Sequence, residues 1–120
     1  MCERRIFLVD DNPDIRRIVA AILDRTGFQV SCFESARECL EEILRQPCHL
    51  LITDIEMPDM NGLTLIRQVR HSLPLLPVLV ISAAGEVPIR AEIMSTGEVA
   101  FLRKPFCRDR LLASIDNVLQ

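Results

Sequence analysis

The chain has 120 residues, a length that fits one ordinary domain. Hydrophobic residues make up 49% of the chain and charged residues 26%, which is typical of a folded globular protein and excludes a disordered one. The formal net charge of -3 argues against a domain that grips nucleic acid through a basic face.

The first two elements are predicted to be a strand and a helix. Residues 6–9 form an apolar run that stops at Asp10 and Asp11, as expected for a strand. Asn12 is a suitable N-cap, and Pro13 loses nothing at the first helical position. The apolar residues that follow have helical spacing and are expected on one buried face: Ile15, Ile18, Val19, Ile22 and Leu23.

The second strand and helix repeat this order. Gly27 is expected to end the first helix. Apolar residues then alternate with polar ones, as in a half-buried strand: Phe28, Val30 and Cys32. Ser35 and Glu38 have the spacing of a capping box, and Pro47 is expected to end the helix that they begin. Its apolar face is predicted to contain Ala36, Cys39, Leu40, Ile43 and Leu44.

The rest of the chain continues the alternation. Continuous apolar runs predict three more strands: residues 50–52, 78–81 and 99–102. Helices are expected between and after them: residues 63–69, about 88–95, and 111–119. Strands and helices that alternate in this way predict one α/β domain over residues 1–120, a parallel sheet with five helices on its two faces.

Four of the predicted strands end in polar residues. Parallel strands place their carboxyl ends at one edge of the sheet, where open α/β sheets bind ligands. The polar residues at that edge are Asp10, Asp11, Asp54, Ser82 and Lys104, of which Lys104 is the only lysine in the chain. Strand ends that simply meet water are the alternative, but three acids, a hydroxyl and the sole lysine at one edge favour a ligand site.

The chemistry of such a site follows from charge. Three neighbouring carboxylates repel one another and need a cation, and oxygen ligands without His or Cys select a hard ion such as Mg²⁺ or Ca²⁺. A partly hydrated Mg²⁺ held by two carboxylates is the better match, because Ca²⁺ sites usually carry more ligands. Ser82 and Lys104 can bind phosphoryl oxygens. The four glycines form no nucleotide-binding loop, so a phosphoryl group is expected to be held covalently on a carboxylate.

Other features indicate the compartment. The five cysteines contain no C-x-x-C pair and have no metal-ligand spacing with the histidines, which indicates free thiols in a reducing cytoplasm. No apolar stretch approaches the roughly 20 residues that span a bilayer, so no membrane association is expected. The first residues lack a secretory cleavage pattern.

Through the motifs at these strand ends, the sequence resembles the receiver domains of bacterial two-component response regulators. The motifs lie at residues 9–12, 54–58 with Gly62, 82–83 and 104–106. The resemblance covers essentially the whole chain. It implies a flavodoxin-like, doubly wound sheet with strand order 2-1-3-4-5.

The resemblance also implies a set of metal ligands. Asp54 would accept a phosphoryl group from the phosphohistidine of a sensor histidine kinase. Asp11 and Asp54 would bind Mg²⁺ directly and Asp10 mainly through water. The backbone carbonyl of Glu56 would complete the protein ligands. The side chain of Glu56 is either a solvated loop acid or a group close enough to the phosphoryl group to affect its hydrolysis.

The same resemblance implies a switch. Ser82 and Lys104 would bind the phosphoryl oxygens, and Phe101 would turn inward as Ser82 moves towards the phosphate. A plain core role for Phe101 is the alternative.

The implied function is a phosphorylation-activated signalling switch that assists its own phosphorylation and dephosphorylation but is not otherwise an enzyme. Phosphorylation would change the surface of the fourth helix, fifth strand and fifth helix, where a homodimer can form. Val99 and Ala100 depart from the usual family pattern and add apolar surface there. The resemblance favours the branch fused to helix-turn-helix transcription domains, so DNA would be bound only through an effector domain outside this chain.

Two other functions remain open. One is a phosphohydrolase of the haloacid dehalogenase type, which also uses Asp, Ser, Lys and Mg²⁺. Residues 10–13 do not match its D-x-D motif, and 120 residues leave no room for a cap domain. The other is a receiver-like interaction module that never becomes phosphorylated.

Overall fold

The computed structural model describes residues 4–83 and 87–119, without the side chains of residues 87–90. Strands and helices alternate along these residues. The strands are β1 (Arg5–Val9), β2 (Gln29–Phe33), β3 (Leu50–Asp54), β4 (Val78–Ser82) and β5 (Ala100–Arg103). The helices are α1 (Pro13–Asp24), α2 (Ala36–Arg45), α3 (Gly62–Ser72), α4 (Val87–Met94) and α5 (Arg108–Leu119). The strands pair in parallel in the order β2-β1-β3-β4-β5, which confirms the predicted flavodoxin-like sheet.

Apolar side chains fill both faces of this sheet. Because neighbouring residues of a strand point to opposite faces, the continuous apolar runs supply two cores. In β1, Phe7 and Val9 face α2, α3 and α4, whereas Ile6 and Leu8 face α1 and α5. Helices therefore cover both faces and leave the carboxyl ends of the strands open. We call the edge formed by these ends the carboxyl edge.

Three helices begin at side chains that accept a hydrogen bond from a backbone N–H two or three residues later: Asn12 in α1, Ser35 in α2 and Asn61 in α3. The first two caps confirm the sequence prediction. Gly27 has a φ of +86° in the turn that follows α1, a conformation that glycine adopts at little cost. These local signals therefore set the starts of the helices and one of the turns.

Three side chains that the sequence analysis placed on buried faces are exposed. Ile18 in α1 and Leu44 in α2 are 50% and 53% exposed. Each lies about 100° around its helix from a fully buried neighbour, Val19 or Ile43, and so falls at the border of the apolar stripe. Cys32 is exposed because β2 is an edge strand, which the rest of the domain covers incompletely.

The cysteines of the described residues are free thiols, as expected. Cys39 and Cys48 are buried, and burial raises the pKa of both, to about 11 for Cys48, so they behave as inert core residues. Cys107 is exposed. Cys2 lies outside the described residues. So do the other first residues of the chain, on which the prediction about a secretory signal rests. No helix in the described part of the chain has the length and apolar character needed to cross a bilayer.

Candidate functional site

The strand register brings residues from distant parts of the chain to the carboxyl edge. Val9 of β1 pairs with Thr53 of β3, so the residues that follow them, Asp10 and Asp54, lie side by side. Lys104 follows β5, and its backbone N–H donates to the carbonyl oxygen of Ser82 at the end of β4, at 2.8 Å. The predicted convergence of strand ends is therefore present.

Three carboxylates meet at this edge. Asp10, Asp11 and Asp54 each offer an oxygen, and these oxygens all lie within 4.8 Å of one another. Asp10 is fully buried and Asp54 is 7% exposed, whereas Asp11 is exposed to solvent. Carboxylates at this separation repel one another strongly where water is excluded, so the arrangement is stable only with positive charge nearby.

Asp10 is held by hydrogen bonds that leave one of its carboxylate oxygens for ionic contacts. Its Oδ1 accepts a hydrogen bond from the backbone N–H of Asn12 at 2.9 Å, and its backbone carbonyl accepts one from Arg16 at 2.5 Å. Its Oδ2 is buried and accepts no hydrogen bond, and it lies 3.5 Å from the Nζ atom of Lys104. A buried carboxylate oxygen that accepts no hydrogen bond and lies beside two other carboxylates is stabilised by nearby positive charge.

Lys104 supplies the nearby positive charge. Its Nζ lies 3.5 Å from Asp10 Oδ2 and also 3.5 Å from Asp54 Oδ2. The side chain is 24% exposed, and Lys104 borders an open cavity. A compact ammonium group can lie between two carboxylates in this way, since it has three donors around a single nitrogen.

The environment of Asp54 makes its carboxylate a stronger base than usual. Burial, together with the negative charge of Asp10, raises the pKa of Asp54 to about 6. Lys104 and a 2.8 Å hydrogen bond from the backbone N–H of Ile55 oppose this rise. At neutral pH most of the Asp54 side chain is therefore ionised, which a nucleophilic carboxylate requires.

A cavity of about 480 Å³ opens above these groups. The residues that line it are Asp11, Asp54, Glu56, Met57, Pro58, Ala83 and Lys104. The side chain of Glu56 is exposed and borders the cavity, close to the cluster of carboxylates. Ser82 is half-buried at the end of β4, one residue before the lining residue Ala83.

Phe101 lies in β5, where it pairs with Val80 of β4. Its side chain is half-buried and packs against the core between the sheet and α2, α3 and α4. This position is compatible with both readings of Phe101, the core residue and the switch aromatic.

The loop between β3 and α3 folds back onto Asp54. The backbone N–H of Gly62 donates to the carbonyl of Ile55 at 2.6 Å. A Cβ atom on Gly62 would lie 2.4 Å from the backbone oxygen of Asp54, which is closer than such atoms approach. Glycine is therefore required at residue 62 so that the loop can pass beside Asp54.

Sequence reasoning missed the role of Asp59, which ties this loop to the start of α2. Its carboxylate accepts hydrogen bonds from the backbone N–H groups of Ala36 at 3.3 Å and Arg37 at 2.9 Å, and from Ser35 Oγ at 3.2 Å. Slight desolvation raises its pKa, but these hydrogen bonds outweigh that effect and leave the pKa of Asp59 below its ordinary value. No local pattern could have indicated this, because the partners lie more than 20 residues away along the chain.

We expect Asp59→Ala to lower the free energy of unfolding by about 1 to 2 kcal/mol, the usual worth of a helix cap. Because the folded pKa of Asp59 is lowered, this contribution is present at neutral pH and is lost as the pH falls through that folded pKa. Urea denaturation at pH 7 and at pH 3 measures the difference. Asp116→Ala, at an exposed acid of α5, is the control, and equal effects of the two substitutions at pH 7 would contradict the role of Asp59.

Comparison with known proteins gives a consistent result. The family model of the response regulator receiver domain matches residues 6–116. The C4-dicarboxylate transport transcriptional regulatory protein DctD of Rhizobium meliloti is 37% identical over 109 residues, which are 91% of this chain and 24% of DctD. The transcriptional regulatory protein FixJ of Bradyrhizobium diazoefficiens is 31% identical over 115 residues, which are 96% of this chain and 56% of FixJ. The chain thus spans from about a quarter to just over half of the length of these curated relatives.

Solved structures show the same similarity in three dimensions. The chemotaxis protein CheY4 of Vibrio cholerae superposes with a TM-score of 0.90 at 26% identity, over 98% of this chain and 100% of that chain. NtrX of Brucella abortus superposes with a TM-score of 0.91 at 31% identity, over 98% of this chain and 27% of that chain.

Proposed function

The chain belongs to the response regulator receiver domains of two-component signalling, and we propose that its switch is operated by phosphorylation of Asp54. One observation carries this proposal: Lys104 Nζ lies 3.5 Å from both Asp10 and Asp54, within a cluster of three carboxylates. The phosphoryl donor would be the phosphohistidine of a sensor histidine kinase.

The chemistry assigned to Asp54 is nucleophilic. A carboxylate oxygen of Asp54 attacks the phosphorus atom, a P–O bond forms, and the P–N bond to the kinase imidazole breaks. Lys104 neutralises charge on the transferred group, and Ser82 donates a hydrogen bond to one of its oxygens. Most of the rate enhancement comes from positioning and charge neutralisation, as is general for phosphoryl transfer. In this view the domain is a phospho-acceptor that assists its own phosphorylation and dephosphorylation, rather than an enzyme with an external product.

We assign Mg²⁺ as the cofactor of this site. Asp11 and Asp54 would bind the ion directly, Asp10 mainly through water, and Glu56 through its backbone carbonyl. The fit is supported by an all-oxygen donor set, by the buried Oδ2 of Asp10, which accepts no hydrogen bond, and by the exposure of Asp11, which leaves room for the waters that Mg²⁺ retains. When bound, Mg²⁺ neutralises negative charge on the phosphoryl oxygens.

We assign the conformational response to phosphorylation of Asp54 to the face formed by α4, β5 and α5. Ser82 moves towards the phosphoryl group, Phe101 turns inward, and this face changes so that a second copy or an effector domain binds differently. Since DctD and FixJ are described as transcriptional regulatory proteins, we assign the whole protein a role in transcription. It would act in the cytoplasm and reach DNA through an effector domain outside this chain.

The proposal predicts that acetyl phosphate with Mg²⁺ adds one phosphoryl group to the wild type and none to Asp54→Asn. Intact-protein mass spectrometry measures this directly. Asp14→Asn, at an exposed acid in the first turn of α1, is the matched control and should be phosphorylated like the wild type.

Each of the two alternative functions predicts a different result. If Asp54 stays unmodified with any phosphoryl donor, a phosphohistidine donor included, the result favours an interaction module that is not phosphorylated. If the protein instead turns over assorted phosphomonoesters steadily, it is a hydrolase.

A further inference from the structure

Arg70 joins two loops at the edge of the sheet opposite to the carboxyl edge. It lies in the last turn of α3, and its Nη2 donates to the carbonyl oxygen of Leu76, at 3.1 Å. Its Nη1 donates to the carbonyl of Thr96 at 3.4 Å, and Nη2 also donates to the carbonyl of Glu98. One guanidinium group thus binds the turn before β4 and the segment of residues 95–99, which we call the α4–β5 loop.

Gly97 makes room for this contact. Its φ is +133°, a backbone conformation that other L-residues rarely adopt. A Cβ atom at this position would also lie 2.2 Å from Arg70 Nη1, so a larger residue would push the guanidinium away. Glycine is therefore favoured at residue 97 for two independent reasons. One is the backbone conformation, and the other is the space that the guanidinium of Arg70 occupies.

Packing holds only part of the α4–β5 loop, because Val99 packs against the core whereas Gly97 and Glu98 are exposed. A cavity of about 630 Å³ lies beside it, bordered by Gly97, Glu98 and Val99. Of the α4 side chains that the structure describes, at residues 91–94, Ile93 alone is buried, and Met94 is 55% exposed. Segments with few buried contacts open locally at low free energy, so the hydrogen bonds from Arg70 add a long-range restraint to the local hydrogen bonds that end α4.

The geometry of the contact is specific to arginine. Desolvation lowers the pKa of Arg70 below its ordinary value, although the charge of Glu98 opposes this, and the buried Nε has no hydrogen-bond partner. The charge thus stays partly buried because the planar guanidinium reaches three carbonyls at once. A lysine ammonium group is a single nitrogen and cannot span carbonyls from two loops in the same way.

The contact is connected through the strands and α4 to the candidate functional site. Leu76 and Glu98 precede β4 and β5, the strands whose carboxyl ends carry Ser82 and Lys104. Helix α4 connects these strands and runs from the carboxyl edge back to the α4–β5 loop. In the order of the elements, one end of α4 thus follows the strand that carries Ser82, and the other end leads into the loop that Arg70 binds.

We propose that Arg70 is a positioning residue of the switch, a latch that fixes the α4–β5 loop to α3 so that α4 pivots about this end when Asp54 is phosphorylated. The inference rests on the proposed function. Without the latch, movement of Ser82 displaces α4 and its loop together, and less of the change reaches the face formed by α4, β5 and α5.

Hydrogen exchange with and without beryllofluoride and Mg²⁺ tests the latch, because beryllofluoride mimics a phosphoryl group on a carboxylate. In Arg70→Lys we expect amides of the α4–β5 loop to exchange about tenfold faster in the absence of beryllofluoride. The beryllofluoride-induced change in exchange over residues 91–103 should fall to less than about half of the wild-type change, a loss of coupling between the sites. The concentration of beryllofluoride that gives half of the effect should rise by no more than about threefold, because Asp54 is unaltered and only the reciprocal effect of the weaker coupling acts on its affinity.

Two further variants make the outcome decisive. Arg67→Lys, at an exposed arginine one turn earlier on α3, should behave like the wild type. Gly97→Ala displaces the guanidinium without removing it but also strains the backbone at a φ of +133°, so it is compared with Arg70→Lys only in the beryllofluoride-induced change, which should fall in the same way. The latch is wrong if Arg70→Lys keeps wild-type exchange and a wild-type response. It is also wrong if both latch variants lose protection uniformly through β1 and β3, because Arg70 would then support the whole fold.

Failure of the proposed function gives a separate signature. If beryllofluoride produces no change in the wild type, phosphorylation of Asp54 is not the trigger, and the pivot is rejected with it. Faster exchange of the α4–β5 loop in Arg70→Lys without any ligand would still show that Arg70 restrains this loop.

Discussion

Substitution of Lys104 by arginine should slow phosphorylation of Asp54 by acetyl phosphate by about tenfold, although the charge is kept. The Nζ atom of Lys104 lies at the same 3.5 Å from Asp10 and from Asp54, and the side chain is mostly buried. A guanidinium group is longer and planar, so it cannot occupy that point between two carboxylates without displacing one of them. Removing the cation with Lys104→Ala should slow the reaction further, by about 10² to 10³, the usual cost of losing one group that stabilises developing charge.

The response to phosphorylation should suffer as well as the rate. In Lys104→Arg the guanidinium fork fills part of the cavity that the phosphoryl group enters, so the approach of Ser82 is hindered. Time courses of phosphorylation by mass spectrometry give the rate, and sedimentation with and without beryllofluoride gives the change in oligomeric state. Arg103→Lys, at the exposed residue that precedes Lys104, is the control. A wild-type rate together with a wild-type change in oligomeric state would contradict the assigned role of Lys104.

Most of the fold could be predicted because its signals are local. The apolar runs of β1, β3 and β4 are continuous, which is the pattern of strands buried on both faces. The caps Asn12 and Ser35 lie within three residues of the N–H groups that they bind. Since parallel strands end at one edge, the sequence also predicted that Asp10, Asp54 and Lys104 converge, and they do.

What could not be predicted depends on distance along the chain. Asp59 binds α2 across more than 20 residues, and Arg70 reaches Thr96 and Glu98 across 26 and 28 residues. Neither side chain has a neighbour in sequence that indicates its partner. Ile18 and Leu44 follow the helical period, but whether the border of an apolar stripe is covered depends on the neighbouring elements and not on the helix itself.

A second large effect concerns stability, and it follows from the carboxylate cluster. Asp54 is buried beside Asp10, and its pKa is raised to about 6 from 3.8. Without a metal ion, the ionised side chain therefore destabilises the folded state. We expect Asp54→Asn, which keeps the shape and the acceptor for Ile55 N–H but removes the charge, to raise the free energy of unfolding. Since one pKa unit corresponds to about 1.4 kcal/mol, the gain at pH 8 is at most about 3 kcal/mol.

The effect depends on pH in a defined direction. Because the pKa of Asp54 is higher in the folded chain than in the unfolded chain, the folded state binds the proton more tightly between about pH 4 and pH 6. The wild type therefore loses stability relative to Asp54→Asn as the pH rises through this window, and the difference is complete above it. Below about pH 4 the side chain is protonated in both states, and the two proteins should be equally stable.

Urea denaturation in the presence of a chelator, at pH 4 and at pH 8, measures this difference. Asp14→Asn, at an exposed acid of α1, should leave stability nearly unchanged at both pH values. Added Mg²⁺ should reduce the difference in the free energy of unfolding between the two proteins at pH 8, because an ion bound by the carboxylates stabilises the wild type more than Asp54→Asn. Asp54→Asn could instead be less stable than the wild type at pH 8 in chelator. The attraction between Lys104 and ionised Asp54 would then outweigh the free-energy cost of burying that charge and its repulsion by Asp10. The carboxylate cluster would then need no further cation, which would remove the physical argument for Mg²⁺ at this edge.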